Sequence, residues 1–211
     1  MDLDTEPSRR VLLLDDNPAV RESVTLLLRS VGLETIAFHS PALFLQSPIG
    51  EAGCILLDIR MPEMSGLEVH RRLRERGNDT PVIFLTGHGD VSMAVRAMRD
   101  GAFDFLEKPV EDQELIDRVL GALRHDAERR ENDARKSGTA SRLARLTPRE
   151  LQIAHLIADG NSSREIATTL GLSVRTVEGY RGRIMAKLEV DSLAQLVRAM
   201  LEHGGDPQAN T

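Results

Sequence analysis

The sequence predicts an α/β domain built on a doubly wound, five-stranded parallel sheet, followed by an all-α domain of four helices. Three observations carry this. Short apolar runs alternate with helical patterns in the front half, apolar content collapses after residue 124, and beyond residue 142 helix starts recur with no strand pattern between them. The runs at 11–16 (VLLLDD), 35–38 (TIAF), 54–58 (CILLD), 82–86 (VIFLT) and 103–106 (FDFL) read as buried strands. Residues 19–31, 41–46, 66–76, 92–99 and 112–123 read as the helices that follow them. Units of this length close into a parallel sheet covered by helices on both faces, with ligands bound beyond the carboxyl ends of the strands where the order reverses.

Residues 125–142 (HDAERRENDARKSGTASR) lose nearly all apolar content and end in Gly, Ser and Thr, so they are expected to form a linker, helical at its start. Beyond it, Thr147-Pro148-Arg149-Glu150, Ser162-Ser163-Arg164-Glu165 and Ser192-Leu193-Ala194-Gln195 fit the S/T-x-x-E/Q capping box, and Ser173 caps a further helix after a turn at Gly171-Leu172. The second and third of the four helices, joined by that tight turn, have the proportions of a helix-turn-helix. The expected organisation is an N-terminal extension (1–9), an α/β domain (10–124), the linker (125–142), a helical domain (143–204) and a C-terminal tail (205–211).

Composition excludes several classes of function. With 211 residues, 41% hydrophobic and 28% charged, the chain is an ordinary globular one, long enough for two domains. No Trp, one Tyr and five Phe argue against aromatic platforms for sugars or single-stranded nucleic acid. One Cys cannot form an internal disulfide, and the six His have no zinc spacing. The polar start lacks an apolar signal segment and no run approaches the roughly 18 apolar residues of a membrane helix, so a cytoplasmic protein without a membrane partner is expected. The acidic excess lies within residues 1–124, where 21 Asp and Glu face 14 Lys and Arg, whereas residues 173–188 hold Arg175, Arg181, Arg183 and Lys187 against Glu178 alone. That asymmetry points to two different partners.

Asp15 and Asp16 follow the first strand and Asp58 the third, and in a doubly wound sheet those strand ends are neighbours. Three converging carboxylates repel one another unless a cation relieves them, and a hard oxygen site with few protein ligands suits Mg²⁺, with Mn²⁺ as an alternative. A single Asp there would more often be a loop or helix cap. The set is read as a site because Thr86 adds a hydroxyl after the fourth strand and Lys108 an ammonium after the fifth. With these positions filled, residues 10–124 resemble the receiver domain of two-component response regulators, which has a flavodoxin-like fold. The resemblance implies that Asp58 is the phosphoacceptor, attacking a phosphohistidine of a sensor histidine kinase. It also implies that Asp16, Asp58 and the Arg60 backbone carbonyl hold Mg²⁺ while Asp15 acts mainly through water. Thr86 and Phe105 are then the switch residues, Lys108 binds phosphate, and Lys108-Pro109 is cis. Arg60 and His88 flank the implied path of attacking water and would tune phosphoryl lifetime, although solvent-exposed loop residues are the commoner reading. Cys54 reads as a small core residue.

Residues 146–201 are similar to the LuxR-type DNA-binding domain through LTPRE (146–150), EIA (165–167), TVE (176–178) and IMAKL (184–188), and the whole looks like a FixJ/NarL-type regulator. At 100° per residue, residues 174, 177, 184 and 188 share the core side of the third helix. Arg175, Gly179, Gly182 and Arg183 lie opposite with Thr176 and Glu178 flanking, a set expected to meet double-stranded DNA rather than solvent alone. Arg181, at the edge of the apolar side, is expected to be structural, its stem packed and its head paired. Tyr180 and Gly179 depart from the family, which usually has His and a β-branched residue there.

The expected function is a transcription regulator, not a turnover enzyme, switched by phosphorylation of Asp58 through homodimerisation and release of the DNA-binding domain, with RNA polymerase a further partner. One rival is a Mg²⁺-dependent aspartyl phosphatase, which would need a second carboxylate two residues after its nucleophile, where Arg60 stands. The other is a receiver that acts only through protein partners.

Overall fold

The structure is a computed structural model that describes residues 9–49, 52–87 and 91–204. It divides into two compact units on either side of residue 130. The first contains β1 (Arg10–Leu14), α1 (Pro18–Ser30), β2 (Glu34–Phe38), α2 (Pro41–Gln46), β3 (Cys54–Asp58), α3 (Gly66–Glu75), β4 (Val82–Thr86), α4 (Val91–Arg99), β5 (Asp104–Glu107) and the start of α5 (Asp112–Leu143). The strands pair in parallel in the order β2-β1-β3-β4-β5, so β1 and β3 are neighbours as the reversal of strand order requires.

Successive side chains of a strand point to opposite faces, and the apolar runs are therefore divided between two cores. Val11, Leu13, Cys54, Leu56, Ile83 and Leu85 pack with Val24 and Leu28 of α1 and with Leu115 and Val119 of α5. Leu12, Leu14, Ile55, Leu57, Val82 and Phe84 pack with Phe44 of α2, Val69 and Leu73 of α3 and Ala97 of α4. Cys54 is fully buried, which matches its reading as a core residue. Continuous burial of β3 and β4 reflects cover on both faces, while β2, at an edge, has no fully buried residue.

Helix extends further through the linker than its composition predicts. Residues 125–142 are helical throughout, and α5 runs unbroken for 32 residues from 112 to 143. Its middle, residues 131–138, is exposed on every side. Arg, Lys, Glu and Ala there are good helix formers, and short-range pairs add support. Asp126, 1% exposed, takes both Arg129 (2.6 Å) and Arg130, and Arg130 also donates to the Ala52 carbonyl at 2.8 Å, securing that turn of the helix to the first unit. Local helix energetics outweigh the loop signal of Ser137, Gly138 and Thr139.

The second unit holds α6 (Pro148–Ala158), α7 (Ser163–Leu170), α8 (Val174–Leu188) and α9 (Leu193–Gly204), with no strand among the described residues. Thr147/Glu150 and Ser162/Glu165 form complete capping boxes. The third is half made, since Ser192 Oγ accepts from Gln195 N but Gln195 Oε1 accepts from Asp191 N. Gly171 adopts a left-handed conformation that ends α7, and Ser173 Oγ accepts from Thr176 N to start α8 three residues later. Ile153, Ala154, Ile157, Ile166, Val177, Ile184, Leu188, Leu196 and Met200 form the core. Val174 is not part of it; at 45% exposure it lies outside, because half-buried Tyr180 draws the apolar side of α8 away from it.

Candidate functional site

The carboxyl ends of β1 and β3 bring Asp15, Asp16 and Asp58 together, with one oxygen from each lying within 4.8 Å of the others. Asp15 is wholly buried, Asp58 is 5% exposed, and Asp16 faces solvent. Local hydrogen bonds fix the acidic turn: Asn17 N donates to Asp15 Oδ1 at 2.9 Å, and Arg21 Nη1 donates to the carbonyls of Asp15 and Asp16 at 2.8 Å. After β3, Ile59 N donates to the Leu85 carbonyl, while the Ile59 carbonyl accepts from Gly66 N. Arg60 thus follows a doubly anchored residue and is itself exposed.

Lys108 reaches this pocket from the end of β5. Its Nζ lies 2.6 Å from both Asp15 Oδ2 and Asp58 Oδ1, with its own side chain 25% exposed. Burial pushes the Asp58 carboxyl above its ordinary value, Lys108 pulls it back, and the charges of Asp15 and Asp16 add to the rise. Burial works against the charged Lys108, yet its bonds to Asp15 and Asp58 leave its pKa raised. The Lys108–Pro109 peptide is cis, as the resemblance implied. The Lys108 backbone N–H donates to the Thr86 carbonyl at 2.7 Å, which places β5's end beside β4's.

Thr86 is 4% exposed and donates its hydroxyl to the Gly87 carbonyl at 3.1 Å. Phe105, three residues before Lys108, is 40% exposed. His88 lies outside the described residues. The pocket therefore unites a buried carboxylate that can act as a nucleophile, an ammonium within hydrogen-bond reach of it, and two further acids. Three hard oxygens at this spacing suit a divalent cation that keeps some of its water.

On α8, Arg175, Thr176, Glu178, Gly179, Gly182 and Arg183 are all exposed, as the helical spacing predicts. Their freedom differs. Thr176 Oγ1 sits 2.7 Å from Ser173 Oγ and belongs to the cap. A Cβ on Gly182 would meet nothing within 4 Å, so no internal contact requires glycine there. Arg183 lies with its Cζ 4.5 Å from the Tyr180 ring centre and its Nε 3.9 Å from Glu150 Oε1.

Glu150 was legible as a capping residue only. Its carboxylate, 3% exposed, also accepts from Lys187 Nζ at 2.6 Å, joining the start of α6 to the end of α8. The Lys187 bond, with the Thr147 backbone N–H, holds that carboxyl down at about 2. Nothing in the local pattern signals a pair 37 positions apart. The expectation for Arg181 holds in part: it is half-buried, but its head makes no hydrogen bond or ion pair with any described residue, and Arg183 is the arginine whose head is engaged.

Residues 11–120 match the family of response regulator receiver domains, and residues 144–200 match the luxR family of bacterial regulatory proteins. The chain is 43% identical over 197 residues to Nodulation protein W of Bradyrhizobium diazoefficiens, covering 92% of this chain and 87% of that protein. It is likewise 43% identical over 198 residues to Transcriptional regulatory protein FixJ of Azorhizobium caulinodans, covering 93% and 94%. Among solved structures, the response regulator StyR aligns at 40% identity with a TM-score of 0.84, covering 92% of this chain and 98% of that one.

Proposed function

The chain belongs to the two-component response regulators that join a receiver domain to a LuxR-type DNA-binding domain, and so regulates transcription; we propose that Asp58 accepts a phosphoryl group and thereby governs how α8 meets double-stranded DNA. The observation that carries the chemical half is the placement of Lys108 Nζ at 2.6 Å from Asp58 and from Asp15. A carboxylate oxygen of Asp58 attacks the phosphorus of a sensor kinase phosphohistidine. The P–N bond breaks, its electron pair returns to the imidazole, which takes up a proton, and an acyl phosphate remains on Asp58. Phosphoryl transfer of this kind depends on positioning and charge neutralisation.

Asp16, Asp58 and the Arg60 carbonyl would hold Mg²⁺, or Mn²⁺ on the same oxygens, with Asp15 acting through water. The ion would supply positive charge to the transferring phosphoryl oxygens. Lys108 neutralises the same group from the protein side. Thr86, whose hydroxyl is now spent on the neighbouring Gly87 carbonyl, turns to a phosphoryl oxygen, and exposed Phe105 turns inward. That rearrangement is the two-state element by which the modification favours a homodimer and releases the DNA-binding helices. The phosphatase reading lacks support, because Ile59 and Arg60, not a second carboxylate, follow Asp58. The reading places the protein in the cytoplasm, with the kinase, DNA and RNA polymerase as partners.

The DNA half is tested on the outward face of α8. Arg175→Ala is expected to weaken binding by about 1–3 kcal/mol if it reads a base, with unchanged melting. Gly182→Ala separates the two demands on the helix. It should add up to roughly 1 kcal/mol of helix stability yet weaken DNA binding, because the backbone can no longer approach as closely. Parallel thermal melts and titrations with duplex DNA check both. Normal binding by both variants would remove this face from the interface.

A further inference from the structure

The side chains around Arg183 do more than fill space. The guanidinium carbon lies 4.5 Å from the centre of the Tyr180 ring, and Nε lies 3.9 Å from buried Glu150 Oε1. Tyr180 is itself packed against the C-terminal core, so its ring is a fixed platform. Glu150 is equally fixed, held by the capping box of α6 and by Lys187. A Cβ at Gly179 would come within 3.8 Å of Arg183 Nη1, an ordinary contact distance, so the guanidinium lies directly over this glycine and a long side chain there would compete for its place. Three residues from two helices therefore define where one flexible, exposed cation sits.

We propose that Tyr180, with Glu150 and Gly179, is a positioning residue for DNA recognition that presets Arg183 along the flank of α8. The inference rests on the reading of α8 as the DNA-contacting helix and adds which residues set the geometry of one contact. A free arginine loses side-chain entropy when it binds, whereas a guanidinium already held on a ring has lost part of that freedom in the unbound protein. A cation over an aromatic face at an exposed site is held by an amount that corresponds to roughly a two- to fivefold population bias. Preorganisation of this size affects discrimination between DNA sequences, since a preset donor fork fits one arrangement of acceptors and not others.

The test is a double-variant cycle in the full-length chain treated with acyl phosphate and Mg²⁺ throughout, the state the proposed function assigns to DNA binding. The probes are a duplex enriched from a random-sequence pool by the wild-type protein and an unenriched duplex of equal length. Tyr180→Leu keeps apolar bulk but removes the π face; it should lower the ratio of affinities for the two duplexes about two- to fivefold, with little change on the unenriched duplex. Tyr180→Phe should retain the ratio. In an Arg183→Ala background Tyr180→Leu should have no further effect, because its influence runs through the guanidinium. Glu150→Gln gives an independent arm: Gln preserves the capping box but not the charge, and it should also lower the ratio only while Arg183 is present. Its folding can be followed by the emission of Tyr180, the one tyrosine in a chain without tryptophan. Additive losses in the cycle, or an unchanged ratio for Tyr180→Leu, would overturn the inference and leave DNA binding intact. Failure of the wild-type chain to enrich any duplex would instead overturn the DNA-reading function, and this inference with it.

Discussion

Asp58→Asn is expected to abolish phosphoryl labelling by a small acyl phosphate in the presence of Mg²⁺, reducing incorporation from near one group per chain to none. Asparagine preserves shape but removes the anionic oxygen that must attack phosphorus. Asp15 cannot take over. It is wholly buried and both of its oxygens are engaged, Oδ1 by Asn17 N and Oδ2 by Lys108 Nζ, whereas Lys108 takes only Oδ1 of Asp58; Asp16 is exposed, with no ammonium in hydrogen-bond reach among the described residues. Folding should survive, since the change removes one of the two Lys108 bonds and leaves the Asp15 bond in place. Intact-mass measurement and thermal melting check the two halves. Stoichiometric labelling of the variant would show that another residue is the acceptor.

Gly66→Ala is expected to damage the first unit severely although it adds a single methyl group. Gly66 opens α3 directly after the Ser65 cap, where the chain passes so close to β3 that a Cβ would lie 2.2 Å from the Asp58 carbonyl oxygen and 3.1 Å from Leu57 Cγ. The first obstacle is backbone and cannot rotate away, so α3 or the end of β3 must shift. Overpacking costs typically 1–3 kcal/mol, and here the upper end is expected, with melting lowered by on the order of 10 °C. Because the displaced atoms belong to the proposed acceptor, labelling of Asp58 should fall as well. Calorimetry and labelling of the same preparation test this. A wild-type melting temperature with full labelling would mean that the close approach is not required.

Much of this was legible because burial and periodicity agree. The five apolar runs became five strands, and alternation along 11–14, 54–57 and 82–85 sent side chains to two cores as a doubly covered sheet demands. The acids converged because strand order is dictated by the pattern of βα units. What escaped depends on the balance of local helix propensities in one case and on contacts between distant residues in the others. Helical continuation through Gly138 and Thr139 could not be read from loop-forming residues whose neighbours outweighed them. The exposure of Val174 and the engagement of Arg183 rather than Arg181 follow from where α6 lies beside α8 and from how Tyr180 packs on the domain core, neither of which a helical projection of α8 alone settles. The requirement for Gly66 likewise emerges only when α3 is packed against β3.

The central claim is that phosphorylation in the first unit controls DNA binding by the second. The most direct measurement is the affinity of the full-length chain for its enriched duplex with and without acyl phosphate and Mg²⁺, at one fixed salt concentration, alongside Asp58→Asn. The account predicts tighter binding by the treated wild-type chain and no response in the variant. Equal affinity for treated and untreated wild type, or the same increase in Asp58→Asn, would contradict it.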